Sequence, residues 1–249
     1  FGEAINDFSE ECLSLVQTGY FQDYPGIPIK AAFEYFFDEP TWEYYLVGNE
    51  HIVEFVGGCL YDEEPVTISI QFLVNLEAET FVAYIEQDGE ELPQAQSDSL
   101  MEVIFSEYYA GQCLYIVQNG YFYEYPDTPL MTAFETFFGN PSWEYFLSTD
   151  DYHVVEFVGS CNYGSQEAEV LVQFLVYPED YTFEVWYCEV WYSEQDVEEL
   201  TQTEWDSLLE DIFEAVADIQ GFAAADHETA EQRPIFSGKG FSEKPVSES

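Results

Sequence analysis

The string Gly19-Tyr20-Phe21-Gln22-Asp23-Tyr24-Pro25 returns as Gly120-Tyr121-Phe122-Tyr123-Glu124-Tyr125-Pro126, and this recurrence decides the fold. Working outward, Cys12-Leu13…Val16-Gln17 precedes the first copy as Cys113-Leu114…Val117-Gln118 precedes the second. Downstream, Ala32-Phe33-Glu34…Phe36-Phe37…Pro40…Trp42-Glu43-Tyr44 matches Ala133-Phe134-Glu135…Phe137-Phe138…Pro141…Trp143-Glu144-Tyr145. After a one-residue insertion, Val53-Glu54-Phe55-Val56-Gly57…Cys59…Tyr61 matches Val155-Glu156-Phe157-Val158-Gly159…Cys161…Tyr163. Gln71-Phe72-Leu73-Val74 matches Gln173-Phe174-Leu175-Val176. Self-similarity held at one period over this length means a duplicated structural unit. The chain reads as two tandem homologous modules, residues 1–110 and 111–222, followed by a flexible Ser-, Gly- and Glu-rich tail, 223–249.

Each module reads as α+β. Ile29, Ala32, Phe33, Phe36 and Phe37 fall at helical spacing, and Pro40 and Pro141 are expected to stop that helix. Ile68, Ile70, Phe72 and Val74 alternate with polar residues, as Val170, Val172, Phe174 and Val176 do, which predicts half-buried strands. Stretches 52–61, 80–86 and 42–46 supply further strands. Gly57 and Gly159, inside a strand, mark a bulge or a close approach. Ser99-x-x-Glu102 and Ser207-x-x-Glu210 read as capping boxes of a closing helix. The expected module is an antiparallel sheet of three or four strands packed with flanking helices.

The chain has 249 residues, 51 of them acidic and 4 basic, for a formal charge of -47. Its 22 Phe, 20 Tyr and 5 Trp set it apart from disordered acidic chains, which are poor in aromatics. Arg233, Lys239 and Lys244 lie in the tail, so residues 1–225 hold 46 of the acids and a single base, Lys30. That balance excludes direct nucleic-acid binding, which needs cations to neutralise phosphate. It also argues against an anionic membrane surface, and no apolar run is long enough to insert as a helix.

The strings G-Y-F-x-x-Y-P, A-F-E-x-F-F-x-x-P-x-W-E-Y, V-E-F-V-G-x-C-x-Y and Q-F-L-V resemble an uncharacterised repeated domain of surface proteins of Gram-positive gut bacteria. The tandem layout is similar to the beta-lactamase inhibitory protein architecture. That likeness implies a concave sheet that grips a protein, and it implies no catalytic residues.

Chemistry-bearing motifs are scarce. There is no Gly-rich phosphate loop, nucleophile elbow, H-E-x-x-H helix or calcium loop, and no C-x-x-C. Neither a cofactor nor a metal site is expected. His51 and His153, each three residues before Glu54 or Glu156, are either a His/carboxylate pair or strand-end histidines. Cys12 with Cys59, and Cys113 with Cys161, read as one disulfide per module, or else as small buried thiols duplicated with the rest. Cysteine usage points to an extracytoplasmic or secreted setting.

Two features suggest partner binding. The first combines Tyr20, Asp23 and Tyr24 with Tyr121, Glu124 and Tyr125, an aromatic–acidic mixture suited to an Arg-rich partner. The bland alternative is a solvated loop with its aromatics folded onto the core. The second is the stretch 181–192, with Phe183, Val185, Tyr187 and Trp191 on one face and Trp186, Cys188, Val190 and Tyr192 on the other. A strand apolar on both faces is covered on both, by the other module or by a partner. The expected function is non-enzymatic binding of a basic protein, in its sharper form a DNA mimic acting in a host cytoplasm against a nucleic-acid-binding protein. The alternative is an extracellular or cell-surface assembly protein that self-associates, its tail docking on a neighbour.

Overall fold

The computed structural model describes residues 3–61, 64–193, 195–223 and 237–239. The chain divides into two compact units, Phe1–Tyr108 and Tyr109–Ser249, each an α+β module.

Unit 1 begins with helices α1 (Glu3–Thr18) and α2 (Ile29–Phe36). Strands β1 (Asp38–Val47), β2 (Glu50–Tyr61), β3 (Glu64–Asn75), β4 (Thr80–Gln87) and β5 (Glu90–Glu91) follow as an antiparallel meander in sequence order. Helix α3 (Gln94–Asn119) closes unit 1 with its first half and opens unit 2 with its second. The repeated string at 12–17 is therefore helical in both copies, burying Cys12 and Val16 in one, and Cys113, Ile116 and Val117 in the other. Unit 2 continues with β6 (Tyr121–Phe122), α4 (Leu130–Phe137), β7 (Gly139–Leu147), β8 (His153–Tyr163), β9 (Gln166–Tyr177), β10 (Thr182–Ser193), β11 (Asp196–Glu199), α5 (Gln202–Ala223) and β12 (Ser237–Lys239). Its sheet runs β6-β12-β10-β9-β8-β7, with β11 pairing β10.

One sheet face is buried and the other is wet, as the alternation requires: Ile68, Ile70, Phe72 and Val74 are buried while their neighbours are not. Phe33 of α2 is the hub of the first core. It packs 4.9 Å from Phe55, centroid to centroid, and also meets Phe37, Trp42, Phe72 and Phe105. Phe134 repeats this with Phe157 at 4.8 Å, and with Phe138, Trp143 and Phe174.

Several sequence readings shift. Helix α2 stops at Phe36, ahead of Pro40, where Phe37 N–H closes the last turn on Phe33 O. Pro40 instead sits in edge strand β1, at a register shift where Glu39 takes φ 49°. An edge bulge is where a residue without an N–H fits. Gly57 and Gly159 mark close approach rather than a bulge, since the β2–β3 and β8–β9 registers run unbroken through them. The capping boxes lie elsewhere. Ser99 is inside α3, its hydroxyl donating to Ala95 O at 3.0 Å, and Ser207 is inside α5. The working box is Thr201-x-x-Glu204: Thr201 N–H and hydroxyl donate to Glu204 Oε2 at 2.9 and 2.6 Å. The expected flexible tail contributes a strand, β12; its residues 224–236 and 240–249 lie outside the described residues.

Candidate protein-binding surface

The wet sheet faces carry a duplicated row. In unit 1, Glu43 of β1 stands opposite Glu54 of β2, which stands opposite Gln71 of β3, which stands opposite Tyr84 of β4. In unit 2 the row is Glu144, Glu156, Gln173 and Tyr187. Like charges directly opposite on neighbouring strands repel, yet both copies keep them. Glu54 is partly stabilised by donors: Gln71 Nε2 and Ser69 Oγ, each at 3.1 Å, and the Tyr45 hydroxyl at 3.2 Å. Tyr45 also donates to Glu43, a bond that helps push its phenol up to about 12. Gln173 Nε2 donates to Glu156 at 2.7 Å. Among the described residues the one ion pair is Lys30 with Glu34, 3.7 Å apart on α2, away from these rows. Tyr84 and Val82 on the same face of unit 1 are 51% and 55% exposed, so the acids sit among accessible apolar groups.

The aromatic–acidic loops divide. Tyr24 lies flat on Phe105 at 4.2 Å and Tyr125 on Phe213 at 4.0 Å, so these two rings belong to the core edge. Their hydroxyls are nonetheless ringed by acids: burial first, then Glu102, Asp23 and Asp98, push the Tyr24 phenol up. Burial first, then Glu210, Glu124, Glu214 and Asp206, does the same for Tyr125. Tyr20 is 57% exposed, and Asp23 and Glu124 are exposed beside it and its twin loop. Tyr121 is half-buried, held in β6. The acidic character of both loops is legible in the strings; the acids contributed by α3 and α5 are not, because they come from 74 to 89 residues away along the chain.

The stretch 181–192 is not apolar on both faces. A bulge between Val185 and Tyr187 shifts the phase. Phe183, Val185, Cys188 and Val190 are all buried, whereas Glu184, Glu189 and Trp191 turn outward with Tyr187. Trp186 is the extra, half-buried residue at this bulge. On the outer face Glu189 accepts from Tyr187 at 2.5 Å and from the Trp191 indole at 2.6 Å, leaving Trp191 41% exposed. This Tyr–Glu–Trp group adjoins the unit 2 row through Tyr187.

The His/carboxylate pairing does not form. Three residues along a strand reverses the face: Glu54 and Glu156 join the wet rows, while His51 Nδ1 and the Tyr44 hydroxyl bond at 2.8 Å, as do His153 Nδ1 and the Tyr145 hydroxyl. Burial holds the His153 imidazole below its ordinary range, against a smaller upward pull from Glu179. All five cysteines are free. Cys12 is close to Tyr44, whose hydroxyl meets His51 at the start of β2, whereas Cys59 pairs with Val66 eight residues further on. At ~3.3 Å per strand residue the two ends are some ~26 Å apart, and a disulfide needs Cα atoms within ~7 Å. Cys113 lies beside Tyr145 in the same way, whereas Cys161 neighbours Cys188.

No protein-family model matches the chain, and no curated protein or solved structure matches it.

Proposed function

We propose that this chain is a non-enzymatic binding protein whose acidic sheet faces engage a basic protein partner. The observation that carries the reading is the duplicated Glu–Glu–Gln–Tyr row: directly opposed carboxylates, kept in both copies, with no cation of the described chain beside them. A guanidinium fork satisfies such a pair bidentately, and the neighbouring tyrosine face adds a cation–π contact. Exposed Tyr84 and Val82 in unit 1, and Trp191 in unit 2, supply the apolar area that a charged contact needs around it. The sharper form is mimicry of duplex phosphate, aimed at a nucleic-acid-binding protein. Its array of carboxylates would raise the association rate and lose hold as salt screens it.

The test is capture of partners by the purified chain at low salt, with recovery of bound proteins followed between ~0.05 and ~0.2 M salt. The reading expects basic proteins, lost steeply over that interval, and displaced by duplex DNA if mimicry holds. Substituting Glu43, Glu54, Glu144 and Glu156 by Gln should abolish capture while the fold persists. Capture indifferent to both salt and these four substitutions overturns it.

A further inference from the structure

We propose that the groove along the outer edge of β4 accepts an extended strand, and that the C-terminal segment of a second copy of this chain fills it. The twin groove in unit 2 shows what such an occupant does. There β12 lies parallel to β10, with Ser237 opposite Thr182, Gly238 opposite Phe183 and Lys239 opposite Glu184. Its other edge pairs in parallel with β6, Ser237 opposite Tyr121 and Gly238 opposite Phe122. The tail thus completes a sheet by inserting between two elements that do not otherwise pair.

Among the described residues, unit 1 has both walls and no inserted strand. The matching residues are Tyr20 and Phe21 on one side, and Thr80, Phe81 and Val82 on the other. Tyr20 and Phe21 form no strand, and β5 pairs with Glu86 and Gln87, so among the described residues β4 is an open edge over 80–84. Leu92 N–H donates to Ile85 O across that edge, and backbone direction alternates along a strand. The peptide groups of Ala83 and Phe81 therefore face outward, unpaired by β3. Phe21 and Phe81 line a groove of about 380 Å³ there, rimmed by Asp23, Glu91 and Asp98. An unpaired edge beside a groove walled by aromatic rings is the geometry of strand addition.

Charge and number select the occupant. The groove's rim is acidic, and residues 233–244 hold three of the chain's four bases against one acid, Glu243. Three residues of this segment, Ser237–Lys239, already occupy the twin site. One chain has two grooves and one such segment, so the second groove is filled from another copy. In this reading the molecule assembles by exchanging tails, independently of any basic partner at the sheet faces.

A synthetic peptide of residues 231–245, with a photo-crosslinker at Phe236, tests the groove on the full chain, and sedimentation from micromolar to millimolar chain tests the occupant. The expected result is saturable crosslinking to residues 80–84, weakened at least tenfold by Lys239→Glu in the peptide, and self-association that rises with concentration. Ala83→Pro removes an outward N–H without touching the β3 ladder, and should abolish both. Val82→Lys, at an exposed site, repels the basic segment and serves if the proline variant misfolds. Crosslinks confined to residues 182–185, or no saturable crosslink, overturn the groove. Peptide capture by a chain that stays monomeric at millimolar concentration overturns the second copy as occupant.

Discussion

Gly57 and Gly58 are adjacent on β2, yet adding a small side chain to each should have opposite consequences. A Cβ at Gly57 would stand 2.7 Å from Phe37 Cβ, 2.9 Å from Phe55 Cζ and 3.0 Å from Phe37 Cγ. Carbon atoms settle at ~3.5–4.0 Å, so the phenyl rings would have to retreat by ~0.5–1 Å. Phe37 is 4% exposed and Phe55 fully buried, wedged against Phe33, so neither has room. Overpacking of this kind costs ~1–3 kcal/mol, and the smaller entropy of an unfolded Ala chain returns ~0.4–1 kcal/mol. Gly57→Ala should therefore lose ~1–2 kcal/mol, which at a urea slope of ~1–3 kcal/mol/M lowers the midpoint of the unit 1 transition by ~0.3–2 M. At Gly58 the nearest atom to a new Cβ is Asp38 O at 3.8 Å, ordinary contact. The second copy already has a Ser there: Ser160 Oγ donates to Gly139 O at 2.9 Å. Gly58→Ser should accordingly raise the midpoint, with the new hydroxyl bonding Asp38 O. Urea unfolding followed by tryptophan fluorescence gives both numbers. A Gly57→Ala midpoint at or above that of the parent, or equal losses at both positions, would refute the packing argument.

Thr201→Ala should cost ~1 kcal/mol of unit 2 stability through the lost cap, while Ser207→Ala, inside α5, should be neutral or slightly stabilising; chemical denaturation of the pair checks this. Burial pushes the thiols of Cys113 and Cys161 up to about 12 and about 11, and that of Cys188 up as well. Alkylation of the folded chain at ~pH 8 should hence be slow, and unfolding without reductant should expose all five thiols to mass-detected labelling; fewer than five adducts would contradict the free-thiol assignment. His153 is held below its unfolded value of 6.5, so the folded chain binds fewer protons than the unfolded one as pH falls through that value. Its contribution to stability is complete above pH 6.5 and shrinks below it. Between ~pH 8 and ~pH 5 the parent should therefore lose more stability than His153→Gln, the comparison cancelling the shared titration of the carboxylates.

How far the sequence carries depends on whether the deciding interaction is local. Phe33 and Phe134 were legible as core residues because a helical period reads out one face over a few positions, and Ile68 to Val74 because alternation reads out one sheet face. Ser-x-x-Glu recurs in acidic chains, so the pattern alone points to Ser207, and only the hydrogen bond from Thr201 to Glu204 identifies the working cap. Strict alternation puts Tyr187 and Trp191 on the face of Val185, and the single bulged residue ahead of them breaks that phase for everything downstream. Glu43 and Glu54 look unremarkable eleven residues apart; their opposition across β1 and β2 depends on register.

The amino-acid order by itself determined the duplication, the α+β character of each module and the nearly uncompensated negative charge, because repetition, periodicity and composition are properties of short stretches. Only the tertiary structure decided that carboxylates from different strands face each other in rows, and that three residues of the tail complete one sheet while the twin edge stays open among the described residues. Those outcomes depend on which strand edges meet across long intervals of chain, a pairing energy that no local pattern encodes.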